Sequence, residues 1–169
     1  MKTVQNFGIM YLLLVVGQMF ICNYFHLSMY VTLSILPVIV LYIPLSVNTV
    51  LAMLIAFATG LSVDALSESV LGLNALALVP VALCRKKIIK TVIGEETVER
   101  QETFSVRRNG LSKISAAVIL SLAVFFTVYI IADGAGVRPV WFNLARFAAS
   151  IACSYILSLF IVRILTPAE

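Results

Sequence analysis

Charge is scarce in this chain: only 12% of its 169 residues are Asp, Glu, Lys or Arg, against about 25% in a soluble domain. Too few groups exist to solvate a folded surface, which excludes a water-soluble globule. Chemistry-bearing residues are as thin. The one histidine, His26, lies in a weak polar break between apolar runs and reads as an interfacial residue, not a base. Cys22, Cys84 and Cys153 are odd in number and scattered through apolar stretches. They form no Cys-x-x-Cys pair, so neither a disulfide framework nor a zinc centre is expected. No H-E-x-x-H, G-x-S-x-G, P-loop or Rossmann glycine pattern occurs. The polar segments are too short to house a soluble catalytic domain. The expectation is a chain that is not an enzyme and carries no cofactor and no metal.

What is present is apolar. Hydrophobic residues make up 62% of the chain, and the mean hydropathy is +1.07. A spanning helix needs ~20 mostly apolar residues, and six runs approach that length, at about 7–24, 29–45, 50–66, 70–84, 114–132 and 140–165. The expected fold is an all-α integral membrane protein, a six-helix transmembrane bundle. It forms one polytopic domain over 1–169 with a cytoplasmic basic loop at about 85–113. The first run lacks a small-x-small cleavage site and is expected to stay as a helix. Pro37 and Pro80 fall inside the second and fourth runs and predict kinks there.

Lys and Arg set the orientation of such a bundle. Arg85, Lys86, Lys87, Lys90, Arg100, Arg107, Arg108 and Lys113 are 8 of the 12 basic residues, all between the fourth and fifth runs. That segment is expected in the cytoplasm, with both termini. Lys86, Lys87 and Lys90 interleave with Ile88, Ile89, Val92 and Ile93. The pattern suits either a short helix lying along the inner membrane surface or a plain topology signal followed by a solvated linker. Glu95, Glu96, Glu99 and Glu102 partly neutralise the loop, so no nucleic-acid partner is expected.

The segment between the third and fourth runs is the most informative. Ala52, Ala56, Gly60 and Asp64 recur every four residues and share one helix face, which Glu68 continues. Small residues at that spacing let two membrane helices approach closely. Residues 70–84 span only ~22 Å as a helix, so an acid is carried toward the outer headgroup zone unless the bilayer thins. Acids at i,i+4 repel unless a cation or proton intervenes. Arg146 in the sixth run is the candidate partner, with outward snorkelling as its alternative and an exposed outer loop as the alternative for the two acids. Ala145, Ala149 and Cys153, with Ala148 and Ala152 beside them, stripe the sixth run. That stripe suits packing within the bundle or against another protein, a second copy included.

Residues 48–87 carry a family resemblance. Gly60-Leu61-Ser62-Val63-Asp64, then Leu71-Gly72-Leu73-Asn74-Ala75-Leu76-Ala77-Leu78, then Arg85-Lys86-Lys87 resemble the bacterial rod-shape-determining protein MreD. The turn Ser67-Glu68-Ser69-Val70 departs from the family's usual Ser-Gly-x-Pro, and Asn74 stands where histidine is frequent. The resemblance implies a non-enzymatic scaffold of the cell-elongation machinery in the inner membrane, supporting lateral peptidoglycan synthesis and cell shape. It implies an MreC-like partner and, indirectly, an MreB-like filament and a peptidoglycan synthase pair. It also implies a fold similar to the substrate-binding S-components of energy-coupling-factor vitamin transporters. In this reading Ala52, Ala56 and Gly60 pack helices, Asp64, with Glu68 and Arg146, locks the bundle near the outer leaflet, Gly60 and Gly72 allow close approach, and Asn74 bonds across helices. The alternative is an S-component proper. The first run, Gly8 to Gly17, lacks the Ala-x-x-x-Ala spacing that such subunits use to meet their coupling subunit.

Overall fold

The computed structural model describes residues 2–24, 31–66, 70–95, 110–134 and 139–165, with side chains from Gly8 to Arg163 within those ranges. Among the described residues the regular structure is helical, with no β-strand. Six helices follow in order: α1 Lys2–Tyr24, α2 Leu36–Leu41, α3 Thr49–Leu66, α4 Leu73–Val92, α5 Leu111–Gly134 and α6 Val140–Leu165. Three of them, α3, α5 and α6, are long and apolar enough to cross a membrane. At 1.5 Å per residue they measure ~27, ~36 and ~39 Å, close to or beyond a hydrocarbon core of about 30 Å.

The core is apolar, as in a soluble protein, but the exterior is apolar as well. Large apolar side chains stand outside, among them Leu13 at 69% exposure, Val140 at 82% and Trp141 at 80%. Gln18, Asp64, Asn74, Arg85, Ser150, Ser154 and Ser158 are buried. In water so continuous an apolar exterior would aggregate. In lipid it is the matched surface, and the interior polar groups have to find partners in one another.

The helices pack in sequence, α3 on α4, α4 on α5 and α5 on α6, with α2 wedged among α1, α3, α4 and α5. All six residues of α2 are buried. Its placement corrects the expectation of a long second helix over 29–45. Residues 32–35 carry no helix, and α2 begins only at Leu36. Pro37 is the reason. It sits in the first turn of α2, where its missing N–H costs nothing, whereas a helix arriving from residue 33 would lose a hydrogen bond there and meet the proline ring. Pro37 thus starts a helix and does not kink one.

The basic loop is corrected in the same way. Residues 85–92 are not loop but the continuation of α4 through its cluster of cations; residues 96–109 lie outside the described residues, and α5 begins at Leu111. Ile88, Ile89 and Ile93 are buried in the core and Lys87 and Lys90 are exposed. The isoleucines face protein, so this stretch is not a separate helix lying on a lipid surface. Arg100, Arg107 and Arg108 lie outside the described residues, as does His26.

Candidate functional site

The α3–α4 pair is held by one backbone approach and one carboxylate. Ala52, Ala56, Gly60 and Asp64 are all buried on one face of α3. A Cβ built on Gly60 would lie 2.5 Å from the backbone nitrogen of Ala75 and 2.8 Å from the carbonyl carbon of Asn74. The two backbones touch, and only glycine fits. One turn further on, the Asp64 carboxylate receives the N-terminus of α4. Oδ2 accepts from the amides of Gly72 at 3.0 Å, Asn74 at 3.0 Å and Ala75 at 3.3 Å, while Oδ1 accepts from Asn74 Nδ2 at 2.7 Å. The first amides of a helix have no intrahelical acceptor, and the helix dipole places partial positive charge there. A carboxylate delivered from a neighbouring helix meets both needs. With its oxygens taken up by these donors, Asp64 clamps the two helices together.

These placements revise several expected roles. Gly72 does not serve close approach, since a Cβ there would meet nothing within 4 Å. Its φ of +90° is the requirement, because this left-handed turn points its amide at Asp64. Arg146 is not brought to Asp64. It pairs with Asp133 of α5 and donates from Nη2 to Thr32 Oγ1 at 3.1 Å. The reason is local: Asp64 is already met by backbone dipoles, and Asp133 ends the helix adjacent to α6. Glu68 lies outside the described residues. Asn74 bonds across helices to Asp64, as stated above. The α3 row of small residues is taken up inside the chain, against α4.

A second polar feature was not read from the sequence. The irregular segment 32–35 carries amides that fall outside any helix or sheet, while the Ile35 carbonyl accepts from the Val38 and Ile39 amides of α2; a buried unpaired backbone group is costly. Side chains take that place. Ser150 Oγ accepts from the Thr32 amide at 3.0 Å, Ser154 Oγ from the Ser34 amide at 3.1 Å, and Gln18 Oε1 from the Ile35 amide at 2.7 Å. Gln18 Nε2 donates to the Leu33 carbonyl at 3.2 Å. The signal was present as Arg146, Ser150, Ser154 and Ser158, four polar residues at four-residue spacing on a mostly apolar helix.

Arg85, counted in the sequence as a loop cation, is fully buried. Its Nη1 donates to the Ile43 carbonyl at 2.7 Å and its Nη2 to the Pro44 carbonyl at 3.4 Å, gripping the chain just beyond α2. At that end Lys90 pairs with Glu95, and Lys113 donates to the Ile93 carbonyl at 3.3 Å. The surface also holds an open apolar groove between α5 and α6, lined by Phe126, Ile130, Val140, Leu144 and Phe147 with Asn143. Among the described residues no three His, Cys, Asp or Glu side chains gather closely enough to hold a metal ion.

The fold and these sites define an all-helical protein with apolar helices suited to a membrane, locked by interior polar contacts. No family model, no curated protein and no solved structure matches the chain.

Proposed function

We propose that the chain is a non-enzymatic membrane scaffold of the rod-shape elongation machinery, MreD-like, that binds an MreC-like single-span protein and supports lateral peptidoglycan synthesis. One observation carries the reading. The segment with the family resemblance coincides with a helix contact that leaves no room for a Cβ, Gly60 against Ala75, and with the Asp64 clamp one turn away. A motif spent on rigid packing, with its carboxylate engaged by backbone amides, suits a part whose work is to hold a shape.

In this proposal the bundle is multi-pass in the bacterial inner membrane, with the termini in the cytoplasm. Asp64, Asp133 and Arg146 then lie toward the outer face, and Lys86, Lys87, Lys90, Lys113 and Arg163 toward the inner one. The exposed aromatic residues Tyr24 and Trp141 mark the outer interface. An arrangement similar to the S-component fold belongs to the same proposal. The partner-facing surface is α6, where Ala145, Ala148 and Ala152 are exposed and Ala149 is half-buried, a row that lets a second helix come close.

Co-purification with the MreC-like partner from detergent-solubilised membranes tests it. Ala148→Phe and Asp64→Leu are expected to lower the recovered partner several-fold while expression persists. Wild-type recovery with both variants, or vitamin auxotrophy in place of cell rounding on depletion, refutes the reading.

A further inference from the structure

Helix α4 opens to the outside along a single edge. Its exposed residues are Leu76, Leu83, Lys87, Lys90 and Thr91, and steps of seven, four and three residues keep to one side of a helix. The first part of that edge is apolar, with Leu76 55% and Leu83 54% exposed. Its last two turns are cationic, with Lys87 and Lys90 exposed and Lys86 half-buried beside them. From Leu76 to Lys87 the helix advances ~16 Å, the depth of one leaflet in a hydrocarbon core of about 30 Å. A second helix brings a further cation to the same end, since Lys113 of α5 donates to the Ile93 carbonyl, one turn past Lys90. Glu95, paired with Lys90, is the one acid there among the described residues. In the sequence beyond it, Glu96, Glu99 and Glu102 are matched by Arg100, Arg107 and Arg108, so the lysines leave an excess of positive charge.

We propose that this edge of α4 docks one anionic phospholipid, with an acyl chain along Leu76 and Leu83 and the phosphate met by Lys86 and Lys87. The order of side chains along the edge selects the occupant. A lipid that touches Leu83 carries its phosphate about one turn, ~6 Å, further along, where Lys87 stands. Lysine stems lie on apolar surface and release their ammonium at headgroup level. Beside anionic lipid each such cation is worth about fivefold in affinity. An acidic protein segment would answer the lysines but not the leucines of the same edge. In the orientation proposed above the lipid belongs to the inner leaflet. The inference rests on the chain lying in a membrane, and not on the partner or the machinery proposed for it.

Native mass spectrometry of the purified chain in a neutral detergent tests it, with phosphatidylglycerol and phosphatidylcholine of identical acyl chains added in equal amounts. The wild-type chain is expected to retain at least about fivefold more phosphatidylglycerol. The double variant Lys86→Gln/Lys87→Gln should bring that ratio close to one. Arg163→Gln, which removes an exposed cation of α6, should leave it unchanged. Equal retention of the two lipids by the wild-type chain, or a preference that survives the double variant, overturns the proposal and leaves the lysines to orientation or to an acidic protein. Inorganic phosphate at the concentration of the lipid is expected to displace none of it. Displacement would mark a plain anion site that makes no use of the leucine edge, and overturns the proposal as well.

Discussion

Gly60→Ala is the sharpest probe of the α3–α4 junction. The added methyl would sit 2.5 Å from Ala75 nitrogen, where ordinary contact begins near 3.4 Å. What it meets is backbone, so no side-chain rotation relieves it, and the helices must separate by about 1 Å. That separation carries the 3.0 Å bond from the Asn74 amide to Asp64 out of hydrogen-bonding range. Overpacking of this kind costs about 1–3 kcal/mol. At ~2–4 °C per kcal/mol for a chain of this length, Tm should fall by about 2–12 °C. The assay is thermal unfolding in detergent, followed by circular dichroism. Gly17→Ala is the control, because nothing lies within 4 Å of a Cβ there and alanine favours the helix, so its Tm should hold or rise slightly. Equal Tm values for Gly60→Ala and wild type would refute the backbone contact.

Gly72 tests conformation in place of space. Asn enters the left-handed region far more readily than a β-branched residue, so Gly72→Asn should lose less than about 1 kcal/mol and Gly72→Val about 1–2, read as the difference between their unfolding midpoints. The two ion pairs should differ as well. Asp133 and Arg146 side chains are only 19% and 11% exposed, whereas Lys90 and Glu95 are 55% and 62% exposed. Arg146→Met or Asp133→Asn alone should lower stability by about 1–3 kcal/mol, the double variant by less than their sum, and Lys90→Met by about 0–0.5. A double-mutant cycle in the same detergent measures all of these.

Much of the architecture was legible in the hydropathy. The ends of α3 and α6 were read to within a residue, because a lipid-facing helix needs an unbroken apolar run and charge ends it. The second run was misread for a physical reason. Its irregular backbone is tolerated because Gln18, Ser150 and Ser154 reach it, and the bonds across some 120 residues leave no periodicity near Thr32 or Ser34. At Asp64 the helix face was visible from spacing, but the search for a partner considered only charged side chains. The donors are amides eight to eleven residues later, which every sequence possesses and none displays. Arg85 was counted as a topology signal because basic residues at a span's end ordinarily are; its burial depends on how the turn after α2 folds over it.

The bonds from Thr32 and Ser34 to α6 also set an order of events during synthesis. Thr32 and Ser34 leave the ribosome more than a hundred residues before the serines that hold their amides. Until α6 emerges, Gln18 can hold the Ile35 amide and the Leu33 carbonyl, but the Thr32 and Ser34 amides lack the hydroxyls that take them up, and a six-residue α2 is too short to enter lipid alone. The N-terminal third of the chain must therefore wait in an unfinished state, and the last helix closes it. A nascent chain stalled before Ser150 should leave the region around Thr32 open to protease, and release past Ser154 should protect it.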